Sequence, residues 1–473
     1  MRKGNILLVN PPVGTHAYGK SLIGAETLDS PPVSLPQIAS PFTDDYEIKF
    51  LDLDLYVSAW KQKLSETVKA FQPEWMGVTS NTPTFNLALE CAEITKKVSP
   101  GTKTVIGGVH ASVYPGEALE KPFVDFAVHG EGDFVFHELV EKGNPENVPG
   151  VSYRQNGSAK INERPPLIEN LDSLGLPRYD LVELEKYRGT SVLAPRGPAG
   201  YIELSRGCQH RCTFCSKAVF GKIFRPKSPE RVLREVEYML GAGFEWIHFI
   251  DDGFGTDERR IINLCGLIHA KGLKFNWTAL SGVAGDQWTK EMFDMLKRAG
   301  CARVSFGIES GSQAVLDRVK KDVNLDQIRR GVAAARASGL ETLGFFILGL
   351  PGETAESIEK TISFAVDSRL DLAHFSLAVP YPGSKLYCDN EKLLRRIPWE
   401  YFYHFNPFPN PSLSAKELKR LLRRAIVGFY GRARVVRGIA ASLRLNQIYY
   451  AARMLYFYSV KSGSGGVTGG SGR

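Results

Sequence analysis

The sequence of 473 residues has no uncharged apolar run of about 18 residues, which argues against a membrane-spanning helix. Its first residues lead directly into the strand-like stretch 5–10, without the apolar region and cleavage site of a secretory signal. We therefore expect a cytoplasmic protein. Cysteine is also scarce, with seven residues, and three of them fall within residues 208–215. In a reducing compartment, such crowding favours metal binding over disulfide bonds.

Acidic residues are rare towards the C-terminus. Over residues 411–473, 12 Lys or Arg residues stand against a single acid, Glu417, so this segment carries a charge of +11. The whole chain carries +8, which leaves −3 for residues 1–410. The basic character is therefore local and says little about the partners of the main body. With 43% hydrophobic residues, the composition is that of a globular protein, and the length predicts two to four domains.

Short apolar runs alternate with helical patterns over residues 1–145, in the βαβ rhythm of an α/β fold with a doubly wound, Rossmann-like parallel sheet. The predicted strands are 4–10, 46–51, 75–80, 102–107 and 124–128. Apolar residues at helical spacing cover 57–71 and 84–98. Ligands of an open sheet bind at the carboxyl ends of its strands, so the loops at these ends are candidate binding loops.

A connector is predicted over residues 146–196, with a small hairpin that turns on Asn156-Gly157. A second alternation follows over residues 197–387. Its six predicted strands are 200–205, 244–250, 273–279, 302–308, 341–348 and 372–379. Six βα units predict a parallel sheet curved into a partial (βα)6 barrel. We expect a basic, helical C-terminal region over residues 388–461 and a flexible, Gly- and Ser-rich tail over 462–473.

Cys208, Cys212 and Cys215 share one short loop directly after the first strand of the predicted barrel. Three thiolates can bind three corners of a soft metal centre. A structural zinc site needs a fourth ligand, for which His210 on the same loop is a candidate. An iron-sulfur cluster held by three cysteines instead leaves one iron open, which is useful where a substrate binds to it. The ligand types alone leave both interpretations open.

The spacing Cys-x3-Cys-x-Phe-Cys resembles the signature of the radical S-adenosylmethionine (SAM) superfamily. The resemblance implies a [4Fe-4S] cluster on the three cysteines. SAM would chelate the open iron and be cleaved by one electron to a 5′-deoxyadenosyl radical. Segments after later strands extend the resemblance, at residues 248–254, 306–312 and 345–354. The SAM-binding residues that it implies are Phe214, Asp251, Asp252, Glu309, Ser310, Gly349 and Gly352.

Some of these segments have a structural alternative. Asp251 and Asp252 either bind the methionine ammonium group of SAM or cap the helix that follows them. Glu353, beside the glycines, is more typical of a first helical turn than of a ligand. Many members of the superfamily carry an arginine for the SAM carboxylate after the third strand, whereas residues 278–285 contain none. The cation for that carboxylate is therefore not identified from the sequence.

A doubly wound domain before such a barrel is similar to the cobalamin-binding module of one large radical SAM subgroup. The matching stretches are Asn10-Pro-Pro12, Pro31-Pro-Val-Ser-Leu-Pro-Gln-Ile38, Ile106-Gly-Gly-Val-His-Ala111, Val128-His-Gly-Glu-Gly-Asp133 and Leu176-Pro-Arg-Tyr-Asp180. The cobalamin-binding residues that the resemblance implies are Asn10, Pro11, Ser80, Asn81, Thr82, Gly107, Gly108, His110, Gly130, Glu131 and Gly132. The loop glycines would leave room for a bulky ligand tail against the backbone.

The sequence lacks the Asp-x-His-x-x-Gly pattern with which modules of the methionine-synthase type ligate cobalt from below. We therefore expect cobalamin without a histidine on its lower face, the alternative being a domain that has lost its ligand. A lower face without a strong donor would ease transfer of the methyl group as a radical. No Gly-x-Gly-x-x-Gly follows the first strand, which argues against a nicotinamide cofactor.

The two resemblances together imply a cobalamin-dependent radical SAM methyltransferase that acts on an unactivated carbon. In the implied mechanism, one SAM methylates cob(I)alamin, and a second SAM gives the radical that removes a substrate hydrogen before the methyl group is transferred. One alternative is a cyclase or rearrangement enzyme with the same cofactors and no net methylation. Another is an iron-sulfur sensor or binding protein, against which the SAM-like segments on successive strands argue.

The implied partners are a small-molecule or lipid-like substrate and an electron donor such as flavodoxin or ferredoxin. Basic residues at helical spacing predict one positive helix face near the C-terminus, formed by Lys416, Lys419, Arg420, Arg423 and Arg424. This face is either a solvated surface of a helix that closes the barrel, or a contact for an acidic substrate or for the inner face of an anionic membrane. No recognisable nucleic-acid-binding module accompanies the charge, so no nucleic acid is expected.

Overall fold

The computed structural model describes residues 3–12, 30–187, 197–283 and 288–433, together with residues 435 and 437. The side chains of residues 281–283 are not among the described groups. The predicted tail over 462–473 and most of the predicted helical region beyond residue 433 lie outside these ranges.

The first half of the chain forms a seven-stranded sheet in the order β2-β1-β3-β4-β5-β6-β7. Its strands are β1 (Gly4–Asn10), β2 (Tyr46–Asp52), β3 (Trp75–Thr79), β4 (Lys103–Gly107), β5 (Phe126–Val128), β6 (Val151–Gln155) and β7 (Ser158–Ile161). The first five strands are parallel, as the βαβ rhythm predicts. The predicted hairpin forms β6 and β7, and it pairs antiparallel with β5, so the first sheet continues beyond residue 145.

Helices cover both faces of this sheet, because the apolar side chains of β1 point alternately to one face and to the other. The helices are α1 (Ser34–Ile38), α2 (Trp60–Phe71), α3 (Phe85–Val98), α4 (Val109–Val113) and α5 (Gly132–Lys142). Leu7 and Val9 pack in the core beneath α2 and α3, whereas Ile6 and Leu8 pack in the core beneath α1 and α5. Strand order reverses between β1 and β3, so the crevice for a ligand opens at the carboxyl ends of these two strands.

The second half forms a six-stranded, entirely parallel sheet in the order β15-β14-β13-β12-β11-β8. The strands of this half are β8 (Ala199–Glu203), β9 (Ser205–Arg206), β10 (Arg225–Pro226), β11 (Trp246–Ile250), β12 (Asn276–Val283), β13 (Cys301–Glu309), β14 (Glu341–Leu348) and β15 (Leu372–Leu377). The short strands β9 and β10 pair with each other as an antiparallel ribbon outside the main sheet. Each of the six predicted barrel strands is therefore present.

Helices surround the outer side of the second sheet. They are α6 (Pro229–Gly241), α7 (Glu258–Ala270), α8 (Lys290–Arg298), α9 (Gln313–Arg318), α10 (Leu325–Ala337), α11 (Ala355–Asp367), α12 (Lys385–Cys388), α13 (Glu391–Leu394) and α14 (Ala415–Tyr430). Ser228 caps α6 through the amide of Arg231, and Thr354 forms a capping box at the start of α11. Both are residue types that the N-cap position favours.

The basic helix α14 packs against α11 and β15 at the end of the second sheet. Its apolar face is buried, including Leu418, Leu421, Ala425 and Phe429. The side of α14 that carries Lys416 and Arg420 is exposed. The helix thus closes the barrel on one side, as one of the two sequence interpretations predicts. Over the described residues, no helix combines the length and apolar character needed to cross a membrane.

Candidate active site

The cysteine loop runs between β9 and β10, and hydrogen bonds fix it at three points. The amide of Gly207 donates to Oδ2 of Asp252 at 2.9 Å. The amide of Thr213 donates to the carbonyl of Val319 at 2.9 Å, and the carbonyl of Thr213 accepts from the amide of Leu386 at 2.8 Å. The loop is therefore held by the segments that follow β11, β13 and β15, at the carboxyl ends of the barrel strands.

The three loop thiols lie close enough to influence one another electrostatically. Cys208 and Cys212 are partly exposed, and Cys215 is exposed. Although Cys215 reaches the surface, partial desolvation by the surrounding protein raises the pKa of its thiol to about 11, and the neighbouring Cys212 and Cys208 thiols act in the same direction. Mutual repulsion of this kind between thiolates is relieved when they bind a cation. The ammonium group of Lys217 donates to the carbonyls of Cys208 and His210 and brings positive charge to the loop.

The donor set fits a cluster better than a closed zinc site. Three thiols and no fourth protein ligand suit an iron-sulfur cluster with one open iron. Within the described ranges, no three His, Cys, Asp or Glu side chains are arranged as a metal site, the three loop thiols included. His210, the candidate fourth zinc ligand, is exposed.

The two acids after β11 have different surroundings. Asp251 is enclosed and accepts hydrogen bonds from the Ser205 hydroxyl and from the amide of Gly253, and burial raises its pKa to about 7. Asp252 points into the cavity described below and fixes the cysteine loop through Gly207. Neither acid caps the following helix, because Asp257 caps α7 through the amide of Arg260. The helix-cap interpretation of Asp251 and Asp252 is therefore wrong.

Glu309 ends β13 in the left-handed region, with φ of 65°, and its Oε1 lies 3.0 Å from Nζ of Lys321. Burial raises the pKa of the Cys212 thiol, and the positive charge of Lys321 opposes this effect. Lys321 thus brings a positive charge next to the cysteine loop, where the sequence had identified no cation for the SAM carboxylate. Sequence reasoning missed Lys321, because it lies on a loop outside every segment that carries the resemblance.

Ser310 and Glu353 interact with each other, between the loops that follow β13 and β14. The Ser310 hydroxyl donates to Oε1 of Glu353 at 3.2 Å, and Oε2 of Glu353 accepts from the amides of Gly349 and Leu350 at 2.6 and 3.1 Å. Glu353 is completely buried, unlike an ordinary solvated acid of a first helical turn. These contacts fix the two loops at the place where the resemblance puts the ribose and adenine of SAM.

The glycines of the loop after β14 are required by close contacts within the chain. Gly349 and Gly352 have φ of 87° and 82°. A Cβ on Gly349 would lie 3.0 Å from Leu418, and one on Gly352 would lie 2.1 Å from the Arg318 guanidinium. Phe214 of the cysteine loop packs against the apolar cluster that includes Leu350. The predicted SAM segments are therefore assembled around one loop cluster, although Gly352 is needed for packing on Arg318.

A cavity of about 690 Å³ lies between the two halves of the chain. Of the eleven predicted cobalamin-binding residues, nine line it: Asn10, Pro11, Ser80, Asn81, Gly107, Gly108, Gly130, Glu131 and Gly132. The second half contributes Cys208, Cys215 and Asp252. The volume is in the range of small-molecule and cofactor sites. The cavity therefore joins the carboxyl ends of the first sheet to the cysteine loop.

Two of the eleven residues, Thr82 and His110, do not line this cavity. The His110 ring stacks on Phe85 with centroids 4.0 Å apart and contacts the Trp399 ring at 5.1 Å. Its Nδ1 lies 3.4 Å from the Thr82 hydroxyl, and its Nε2 lies 3.4 Å from Glu117. His110 is completely buried among these groups. The structure therefore encloses His110 among aromatic rings, away from the cavity wall on which nine of the other predicted residues lie.

Several loop glycines accommodate the protein's own backbone rather than a ligand. Gly108 has φ of 100°, and a Cβ there would lie 2.3 Å from the carbonyl oxygen of Ser80. A Cβ on Gly130 would lie 2.9 Å from the Pro165 ring. Both glycines nevertheless border the cavity. The expectation that they leave room for a ligand tail is therefore incomplete, because packing between neighbouring loops already requires them.

A network of charged groups connects the cavity wall to the cysteine loop. Glu131, a predicted cobalamin-binding residue, is held by the guanidinium groups of Arg206 and Arg225, and Asp133 pairs with Arg206. The two arginines were not assigned a role from the sequence. The only available signal was the position of Arg206 two residues before Cys208.

The inner side of the second sheet carries aromatic and imidazole side chains. This side faces away from the helices. Ile247 and Phe249 of β11 pack in the core beneath the helices, so His248 points to the opposite, inner side. Burial lowers the pKa values of His248 and His374 to about 4, and these imidazoles are therefore neutral near pH 7. His374 lies next to the Phe345 ring, with centroids 5.9 Å apart. The inner side offers an apolar and aromatic surface with neutral polar groups.

Comparison with known proteins agrees with this architecture. Residues 202–365 match the family model of the radical SAM superfamily, and residues 19–140 match that of the B12 binding domain. An uncharacterized methyltransferase of Pyrococcus horikoshii is 34% identical over 446 residues, which cover 92% of this chain and 94% of that protein. An anaerobic magnesium-protoporphyrin IX monomethyl ester cyclase of Rubrivivax gelatinosus is 28% identical over 374 residues, 76% of this chain and 66% of the cyclase.

Among solved structures, the radical SAM methyltransferase TsrM from Kitasatospora setae, with cobalamin and a [4Fe-4S] cluster bound, has a TM-score of 0.67 to this chain. The sequence identity is 19%, and the match covers 90% of this chain and 88% of TsrM, so this likeness concerns the fold. It confirms the predicted order of a cobalamin-binding domain followed by a radical SAM domain. The [4Fe-4S] cluster, SAM and cobalamin are the cofactors of this architecture. Of their predicted residues, nine of the cobalamin set line the cavity together with Cys208, Cys215 and Asp252. Because the near full-length match to the Pyrococcus protein exceeds 30% identity, the chain belongs to the cobalamin-dependent radical SAM methyltransferases.

Proposed function

We propose that this enzyme methylates an unactivated carbon of a small-molecule substrate. The observation that carries the proposal is the single cavity that borders both the predicted cobalamin loops and the cysteine loop. When bound, the cluster supplies the electron that cleaves SAM to a radical, and cobalamin supplies the methyl group. A methyl donor and a radical source that open onto one space can act on the same substrate carbon without releasing it.

The first sheet would hold cobalamin through the loops that follow its strands. The side chain of Asn10 reaches the cavity at the end of β1, and Ser80 and Asn81 reach it after β3. Asp52 holds the Asn10 side chain in place, because it accepts a hydrogen bond from the Asn10 amide at 2.8 Å. Asp52 also accepts from the Tyr187 hydroxyl at 2.7 Å. Within the described part of the chain, no histidine lines the cavity. This supports a lower cobalt face without an imidazole ligand.

The second sheet would hold the cluster, SAM and the substrate. Cys208, Cys212 and Cys215 are the proposed cluster ligands, and Asp252 holds their loop in place. Asp251, Glu309 and the loops joined by Ser310 and Glu353 are the proposed surroundings of SAM. The aromatic inner side of the barrel supports an apolar or partly lipid-like substrate, since such side chains exclude water from a reacting radical.

The electron donor is proposed to be a small carrier protein such as flavodoxin or ferredoxin. Residues 207–228 contain no Asp or Glu. Arg211 and Lys222 of this stretch are exposed beside the cysteines. A basic surface next to the cluster suits a carrier with an acidic face.

Membrane contact through α14 is a further proposal, supported by its exposed Lys416, Arg420 and Arg423. Neutralising these three residues should abolish sedimentation of the enzyme with vesicles that contain anionic phosphatidylserine. Unchanged sedimentation of the neutralised variant would contradict membrane contact through this helix.

The reaction is tested by the fate of the SAM methyl group. Reconstituted enzyme is incubated anaerobically with a metabolite extract, a strong reductant and SAM whose methyl group is deuterated. A methyltransferase gives 5′-deoxyadenosine together with a product that carries the labelled methyl group. A cyclase or rearrangement enzyme gives 5′-deoxyadenosine and an unlabelled product, which would contradict the proposal.

The control for this experiment is Cys212→Ala, which removes one proposed cluster ligand and should abolish both 5′-deoxyadenosine and labelled product. An iron-sulfur sensor would form the cluster without producing 5′-deoxyadenosine in the wild-type protein. That result would also contradict the enzymatic assignment.

A further inference from the structure

Four buried charged side chains connect the two halves of the chain. Arg206 forms a two-pronged pair with Asp133, in which Nη1 and Nη2 lie 2.8 and 3.0 Å from the two carboxylate oxygens. Nη1 of Arg206 also lies 3.3 Å from Oε2 of Glu131. Nη1 of Arg225 approaches the same oxygen at 3.1 Å, and its Nη2 contacts Oε1. Two acids of the first half are thus held by two arginines of the second.

These four side chains are removed from solvent. None of them is more than 6% exposed. A buried charge without its partner is strongly unfavourable, and a planar guanidinium that meets a carboxylate through two bonds fixes orientation as well as distance. The network therefore has few alternative arrangements. It sets the relative position of the backbone segments that carry it.

The segments in question are those that border the cavity on opposite sides. Glu131 and Asp133 lie on either side of Gly132, where the loop after β5 enters α5, and this segment borders the cavity. Arg206 and Arg225 face each other across the ribbon of β9 and β10, at the two ends of the cysteine loop. The ion pairs thus link the two predicted cofactor sites directly.

The chain between Arg206 and the first cysteine leaves little freedom. Only Gly207 separates Arg206 from Cys208. A Cβ on Gly207 would lie 2.1 Å from the carbonyl oxygen of Ile223, so the two ends of the loop are in tight contact. A displacement of Arg206 therefore moves Cys208 with it.

We infer that Arg206 and Arg225, paired with Asp133 and Glu131, are positioning residues that set the distance between cobalt and the cluster. A radical made at one cofactor must meet a methyl group carried by the other, so this separation controls whether the two steps are coupled. The inference rests on the proposed placement of both cofactors. It does not depend on whether the product carries the methyl group, so a failed label-transfer experiment leaves its own test intact.

The distance can be measured without knowing the substrate. Holoenzyme with cob(II)alamin and the reduced [4Fe-4S] cluster contains two paramagnetic centres, whose dipolar interaction is read by pulsed electron paramagnetic resonance. The wild type should give one narrow distance distribution. In the paired variant Arg206→Gln with Asp133→Asn, which removes both charges of this pair but also the contact of Arg206 with Glu203, the distribution should be at least twice as wide at unchanged iron and cobalt content. An unchanged width would overturn the inference.

A matched control is Arg303→Gln, which removes a buried guanidinium that pairs with Glu341 inside the second sheet. It should leave the cobalt-to-cluster distance unchanged. Hydrogen exchange on the cofactor-free chain gives an independent readout where the paired variant loads its cofactors poorly. Amides of residues 130–133 and 207–225 should both exchange faster in the paired variant than in the wild type. Unchanged exchange in these two segments would also overturn the inference.

Discussion

The Glu353 carboxylate accepts a hydrogen bond from the Ser310 hydroxyl, with Oε1 and Oγ 3.2 Å apart, and so joins the loops that follow two neighbouring barrel strands. Oε2 of Glu353 accepts from the amides of Gly349 and Leu350. Glu353 is completely buried, and burial raises the pKa of its carboxyl to about 7. The three hydrogen bonds oppose this shift only in part.

The raised pKa of Glu353 predicts a pH dependence of stability. The folded state favours the protonated acid. The contribution of Glu353 to the free energy of unfolding is therefore fully present below about pH 4.5 and is lost as the pH rises towards 7. The corresponding free energy is about 3 kcal/mol. Glu353→Gln should therefore flatten the unfolding free energy between these pH values, as measured by urea denaturation. The control Glu356→Gln, at an exposed position of the same helix, should leave the slope unchanged. Parallel profiles for wild type and Glu353→Gln would contradict this prediction.

Each cysteine of the loop is predicted to be necessary for the cluster. Separate substitutions of Cys208, Cys212 and Cys215 by alanine should each remove most of the iron and the visible absorption after anaerobic reconstitution, because two thiolates hold such a cluster poorly. The matched control is Cys388→Ala, which removes an exposed thiol outside the loop. Iron retained by any of the three loop variants at the level of the control would contradict the assignment.

Backbone contacts predict that two glycine substitutions lower the free energy of unfolding by different amounts. Gly108→Ala introduces a Cβ 2.3 Å from the Ser80 carbonyl oxygen at φ of 100°, whereas Gly272→Ala has φ of 62° and meets no atom within 4 Å. The second substitution carries backbone strain alone and should lower the free energy of unfolding by about 1 kcal/mol. The first should lower it by about 3 kcal/mol, since the loops must also separate. Equal losses in denaturant titrations would show that the contact with Ser80 is unimportant.

Asn10 and His110 are predicted to differ in their effect on cobalamin binding. Asn10→Ala removes a polar side chain from the cavity wall, and its affinity for hydroxocobalamin should fall by about tenfold. His110→Gln changes a side chain enclosed by Phe85 and Trp399, and the affinity should stay within about twofold of the wild type. Equilibrium titration of the cofactor-free protein measures both. The reverse order of effects would place His110 in the cobalamin site after all.

Local patterns were sufficient to predict the parallel strands of both sheets, because most of them are short apolar runs bounded by turn residues. They predicted the hairpin of β6 and β7 but not that it extends the first sheet. They were also sufficient for the cysteine loop and for most of the cavity wall, since carboxyl ends of parallel strands meet at one edge. They could not reveal that His110 is enclosed by Trp399, nearly 300 residues away in the sequence. The partners of Arg206 were hidden for the same reason, because ion pairs between distant segments leave no periodic signal.

The central claim is that one cavity serves a cluster on the cysteine loop and a cobalamin on the first sheet. Its most direct test is metal analysis of anaerobically reconstituted protein, supported by the visible spectrum. The account predicts about four irons and one cobalt per chain, with the iron lost in Cys212→Ala and the cobalt retained. Zinc bound in place of iron, or iron bound without cobalt, would contradict it.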